Sequence, residues 1–126
     1  MAMRRRWRDG DAVLGAPGAR VPLRIAASYR ARTRGLLGRD GIEGALLLTP
    51  AGSVHTVRMR FPIDVAYLDR TLRVLTVRTM RPGRVGLPRP RSRHVLEAEA
   101  GAFARWGVVP GAILEVEPAP VREPRP

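Results

Sequence analysis

Short apolar runs, each ended by Gly, Pro or charged residues, recur along most of this chain. Runs of that length and punctuation predict strands, because a helix that buries one face shows its apolar positions every three to four residues over a longer stretch. Strands are expected over Val21–Ala27, Ala45–Thr49, Val54–Arg58, Ile63–Leu68, Leu72–Thr79, His94–Glu97 and Ile113–Glu117. Ile63–Leu68 is almost wholly apolar, so both of its faces should be covered. In Ile113–Glu117, Leu114 and Val116 alternate with Glu115 and Glu117, the pattern of a half-exposed strand. Leu68-Asp69-Arg70-Thr71-Leu72 reads as a tight hairpin.

Two short helices fit between the strands. Ser28 can cap a turn or two that ends at Arg34, with Gly35 as a left-handed stop. Ala98–Trp106, ended by Gly107, forms the second. The segment Thr79–Arg93 carries five Arg, three Pro and two Gly and little apolar content. It is expected to be a long, exposed, poorly packed basic loop, of the kind that is usually functional or mobile. The fold class is therefore mainly β: a compact sandwich or barrel with one or two short helices.

The 126 residues suffice for one domain, and 44% apolar content supports a real core. Aromatics make up only 5%, so that core must rest on Val, Leu, Ile and Ala. No apolar run is long enough to span a membrane. The chain has no Cys, which removes disulfides, zinc ribbons, thiolate catalysis and iron–sulfur ligation. Residues 1–12 form a basic N-terminal segment, 13–117 a single β domain, and 118–126 a Pro-rich tail expected to be disordered. The N-terminal Arg cluster resembles the start of a secretory signal, but Asp9, Asp11 and Pro17 break the apolar stretch such a signal needs. A cytoplasmic protein is expected.

Charge changes the picture further. The formal net charge is +12, and all 23 basic residues are Arg; Lys, Asn and Gln are absent. Their joint absence points to GC-rich coding, so the choice of guanidinium over ammonium carries little information site by site. The sign still matters, because a basic surface attracts phosphate, nucleic acid or anionic lipid. Residues 1–39 hold ten Arg and two acids, and residues 70–96 hold eight Arg and no acid.

No phosphate-binding Gly motif, metalloprotease motif or serine-nucleophile motif is present, and no cofactor is expected. His55 and His94 read as hydrogen-bonded structural residues; with Asp64 and Glu97 they lack diagnostic metal-ligand spacing, so no metal site is assigned. Asp64 lies in a stretch that reads as buried, where a carboxylate must be hydrogen-bonded or paired. Arg34, Arg39 or backbone amides are its expected partners. Glu97, at a strand-to-helix step, faces the same requirement.

Four stretches resemble domain-of-unknown-function family 192, small prokaryotic proteins without an established activity. They are Arg34-Gly35-Leu36-Leu37-Gly38-Arg39, Gly44-Ala45-Leu46-Leu47-Leu48, Pro62-Ile63-Asp64-Val65-Ala66-Tyr67-Leu68-Asp69, and His94-Val95-Leu96-Glu97 with Gly101 and the later Pro110-Gly111. They span about residues 21–117. Where many members read Trp-Met-Lys-Asn-Thr, this chain has His55-Thr56-Val57-Arg58-Met59, similar to a recurrent subgroup. The resemblance implies a β fold of jelly-roll type. It also singles out Arg34, Arg39, His55, Thr56, Asp64 and Glu97 as polar motif positions that would form a mixed-charge pocket if the fold brings them together.

Three readings of function stay open. The first is a non-enzymatic binding or accessory domain for a small anionic ligand or a peptide terminus, with Arg34 or Arg39 as bidentate donor and Asp64 and Glu97 holding the Arg side chains. The second is an enzyme using Asp64 or Glu97 with His55 as acid and base. The third is a nucleic-acid or polyanion binder acting through Arg81, Arg84, Arg89, Arg91 and Arg93. That loop lacks the aromatics that stack on single-stranded bases.

Overall fold

The structure, a computed structural model, describes residues 7–36, 39–53 and 59–120. Seven strands and two helices follow the chain in the order β1 (Gly10–Ala16), β2 (Ala19–Ala26), α1 (Tyr29–Arg34), β3 (Ala45–Leu48), β4 (Ile63–Leu68), β5 (Val74–Met80), β6 (His94–Glu99), α2 (Ala102–Trp106) and β7 (Glu115–Pro118). The expected strand over Val54–Arg58 lies outside the described residues. Among the described residues no helix is long and apolar enough to cross a membrane.

All seven strands belong to one sheet of order β5-β4-β6-β3-β2-β1-β7. The β2–β3 pair is parallel, and the other pairs are antiparallel. The two ends of this sheet meet. Arg73 bridges Ile113, Val74 N–H donates to Ala112 O at 2.8 Å, and Leu114 N–H donates to Leu72 O at 3.0 Å. Joining the terminal strands curls the sheet toward a barrel, the geometry that removes exposed strand edges. The pairing does not establish the jelly-roll arrangement.

Period-two alternation sorts the side chains onto an inner and an outer face. The inner core gathers Leu14, Leu23, Leu47, Ala66, Leu68, Leu96 and Val116 with Phe103 of α2. The outer core gathers Leu46, Leu48, Ile63, Val65, Tyr67 and Val95 beneath Leu36, Met59 and Phe61. All six residues of β4 are buried, as their composition predicts. Leu114 and Val116 are also buried and Glu115 is exposed, as the alternation predicts. The hairpin at Leu68–Leu72 is held by Asp69, whose Oδ1 accepts from Thr71 N–H, Thr71 Oγ1–H and Arg73 N–H.

Several boundaries differ from expectation. β1 begins at Gly10, within the stretch read as a basic segment, and lies between β2 and β7. β6 runs two residues past Glu97, because Ala98 and Glu99 continue its pairing with Asp64 and Ile63. Gly101 then turns the chain at φ +93°, so α2 starts at Ala102 rather than Ala98. Pro118 pairs with Ala12 and closes β7 rather than opening a tail; residues 121–126 lie outside the description.

Candidate functional site

Helix α1 is short and held at both ends. Ser28 Oγ accepts from Ala31 N–H at 3.1 Å, and Gly35, at φ +45°, donates its N–H to Ala31 O. The helix turns Ala31 toward the outer core. Arg30 and Arg34 are four residues apart and therefore neighbours on one helix face. That face borders a cleft of about 300 Å³ lined by Arg24, Arg30, Arg34 and Arg39, with Leu46 of β3 and Asp9 completing it.

The acids near the cleft are already engaged. Asp9 Oδ1 accepts from Ala27 N–H at 2.6 Å and Ser28 N–H at 2.8 Å. The Ser28 hydroxyl and then these amides hold the Asp9 carboxyl below its usual range. Asp11 pairs with Arg24 at 3.1 Å, both exposed. Among the described residues, the side chains of Arg30, Arg34 and Arg39 have neither an ion pair nor a hydrogen bond. Guanidinium groups crowded without counter-charges repel one another, and an anion between them relieves that repulsion. Sequence reading found Arg34 and Arg39. It missed Arg30, signalled by its i,i+4 spacing to Arg34, and Arg24, whose face depended on the strand register.

Asp64 and Glu97 do not join this cleft. Asp64 faces the inside of the sheet and is only 4% exposed. Its Oδ1 accepts from Thr79 Oγ1–H at 2.7 Å, and its Oδ2 accepts from Gly101 N–H at 2.9 Å and Phe103 N–H at 3.1 Å. Thus β4 supplies the capping carboxylate that α2 lacks at Gly101. Backbone amides, not Arg34 or Arg39, are its partners. Glu97 alternates onto the opposite, outer face, where it is 3% exposed and Oε2 has no partner. Burial pushes its carboxyl up to about 7. Asp64 and Glu97 therefore neither hold the cleft arginines nor face a common substrate. His55 and Thr56 lie outside the described residues.

His94 is structural in its surroundings. It is buried, with Nδ1 at 2.7 Å from Thr49 Oγ1 and its ring edge-on to Trp7. The basic loop is also less open than expected. Arg89 stacks over the Tyr67 ring at 5.2 Å and donates its backbone N–H to Gly52 O. Ser92 is buried and bonds Ala51 O and His94 O. The loop from Arg89 onward is anchored because it covers Tyr67, while Arg81, Arg84, Arg91 and Arg93 are exposed.

The chain is similar to other proteins in sequence and in fold. Over 84 residues the chain is 32% identical to UPF0127 protein PH1112 of Pyrococcus horikoshii, covering 63% of this chain and 73% of that one. It is 27% identical over 107 residues to UPF0127 protein TK1120 of Thermococcus kodakarensis, covering 80% and 68%. A crystal structure of a protein of unknown function from Novosphingobium aromaticivorans superposes with a TM-score of 0.69 at 20% identity, over 83% of each chain. A crystal structure from Sinorhizobium meliloti superposes at 0.65 and 19% identity, over 87% of this chain and 95% of that one. Both confirm the β architecture. With residues 12–116 matching DUF192, a family described as an uncharacterized ACR, the chain belongs to that family.

Proposed function

We propose that this domain is a non-enzymatic binding module that holds a small anion, a carboxylate or a phosphate, in the cleft of Arg24, Arg30, Arg34 and Arg39. The observation that carries this reading is that four arginines line one concavity, three of them without an ion pair among the described residues. Planar guanidinium forks match carboxylate and phosphate oxygens in pairs. Binding rather than catalysis is favoured because the hydroxyl and carboxylate in the lining, Ser28 and Asp9, are spent on each other and on the backbone amides of Ala27, Ser28 and Ala31. The test is calorimetric titration with inorganic phosphate and with citrate at low salt. Binding should weaken by about tenfold or more in Arg34→Ala/Arg39→Ala, and much less in Arg91→Ala/Arg93→Ala on the basic loop. Equal loss in both double variants would mean a diffuse surface effect instead of a site.

A further inference from the structure

We propose that the loop between β5 and β6 docks the protein onto the surface of an anionic lipid bilayer. Val85 and Leu87 enter the boundary between headgroups and acyl chains, and the surrounding arginines meet the lipid phosphates. This docking does not involve the arginine cleft.

The loop is held at its ends. Met80, which closes β5, and Ser92, just before β6, are buried. Arg93 N–H donates to Leu68 O at 2.8 Å, and Ala51 N–H donates to Arg93 O at 2.9 Å. Between these anchors Pro82-Gly83 turns the chain, with Gly83 at φ +82°, the pattern of a type II turn. Pro88 and Pro90 restrict the returning limb, and Pro88 also keeps Leu87 extended. A segment with so little backbone freedom loses little of it on docking.

Between the anchors the loop carries apolar and cationic groups together. Among the described residues five large apolar side chains are exposed, and two of them, Val85 at 74% and Leu87 at 73%, stand here. Isolated exposed aliphatics are ordinary. These two lie within about 7 Å of each other along the chain, in a segment with five Arg and no acid. Arg84 adjoins Val85 and Arg91 follows Leu87 by four residues, both exposed. Inserting the aliphatics therefore brings guanidinium groups to the level of the phosphates, where Arg stems cover apolar surface and the charged heads stay in the polar layer.

A bilayer is the partner that uses both features. An apolar anchor or a basic patch alone attaches a protein only marginally, and the two together attach it stably. A nucleic acid would engage the arginines and leave Val85 and Leu87 without a partner, and the loop has no aromatic to stack on bases. A protein interface covers about 800 Å² per partner around buried Trp, Tyr or Arg anchors, far more than two aliphatics present. A fluid lipid surface accommodates a small apolar tip and offers phosphates on every side of it.

Co-sedimentation of the full chain with vesicles at about 0.1 M salt tests the proposal. Vesicles of mixed phosphatidylglycerol and phosphatidylcholine should bind about tenfold tighter than phosphatidylcholine alone, with binding that weakens as salt rises. Val85→Ser/Leu87→Ser keeps every Arg and should lose about tenfold or more on the mixed vesicles. Arg91→Ala/Arg93→Ala should weaken binding and flatten its salt dependence, whereas Arg34→Ala/Arg39→Ala should leave it intact. The chain has no Cys, so Leu87→Cys can carry one polarity-sensitive dye. Its emission should shift to the blue on mixed vesicles and stay unchanged with a DNA duplex. The proposal is overturned if the mixed vesicles do not bind, or if the serine variant binds them as tightly as wild type. It is equally overturned if a DNA duplex binds more tightly than the vesicles at the same salt and the serine variant keeps that binding. Loss confined to Arg34→Ala/Arg39→Ala would assign the lipid phosphate to the cleft and overturn it too. An unchanged thermal transition checks the fold of each variant, and the dye reads insertion independently of the serine variant.

Discussion

A buried carboxyl with an unpartnered oxygen favours its neutral form, and burial pushes Glu97 up to about 7. Its folded-state value therefore lies above the 4.5 of an unperturbed Glu. The stabilising contribution of proton binding is complete below the unfolded value and is lost as pH rises through the folded one. Between about pH 4.5 and 7, Glu97 should remove about 3 kcal/mol of stability. Glu97→Gln should abolish that slope and be the more stable protein at pH 8, as urea unfolding across pH would show. His94 works in the opposite sense: burial lowers its value from 6.5, so its contribution is lost as pH falls below that point. The Glu97→Gln variant would expose this second slope, which Glu97 otherwise offsets. At this scale the sequence was informative about which acids were unusual. The Phe61–Leu68 stretch marked Asp64 as a carboxylate in apolar surroundings, and its burial agrees. It could not show that Asp64 and Glu97 point to opposite faces. That depends on two positions of different parity on paired strands, and one register step would reverse it.

Elements are joined here by single residues at their ends. Asp64 on β4 holds the first amides of α2, so Asp64→Asn should cost about 1–3 kcal/mol in chemical denaturation, with loss of hydrogen-exchange protection at Phe103. Gly44 precedes β3 at φ +70°, and a Cβ there would stand 2.2 Å from Pro22 O. The parallel β2–β3 contact depends on that close approach. Gly44→Ala should therefore destabilise by about 2–4 kcal/mol, combining backbone strain with displacement of β2. Thermal denaturation is the check, with Gly41→Ala, which meets no atom within 4 Å, as the control. The element that sequence reading passed over, β1, has its own signal: Ala12, Leu14 and Ala16 alternate inward, and Pro17-Gly18 turns the chain into β2. The adjacent arginines and the short run obscured it. The late start of α2 was legible in Gly101 only once Asp64 was known to supply its cap.

Across the whole molecule, the closed sheet explains why so few aromatics suffice. A curled sheet gives each strand an inner face, and aliphatic side chains from several strands meet there with Phe103. The mainly β class was legible because each strand announces itself locally. The strand order was not, because β3 beside β2 and β6 beside β4 are choices made over long separations. The arginine cleft has the same origin. Arg34 and Arg39 stand near one another in the chain, but Arg24 and Leu46 reach them only through the parallel β2–β3 pairing.

That long-range pairing has a consequence in time. Among the described residues the first strand, β1, forms its second ladder with the last, β7; Leu14 stands opposite Val116. A ribosome makes residue 116 long after residue 14, so β1 must wait with one backbone edge unpaired until β7 has been made. The inner core cannot close before β7 has emerged. Chains arrested before Glu115 should remain protease-sensitive at β1 and associate through that open edge, whereas chains extended past Pro118 become resistant together across β1, β2 and β7. Pulse proteolysis of stalled nascent chains of increasing length would locate that step, and resistance of β1 before residue 115 has emerged would show that the barrel closes by another route.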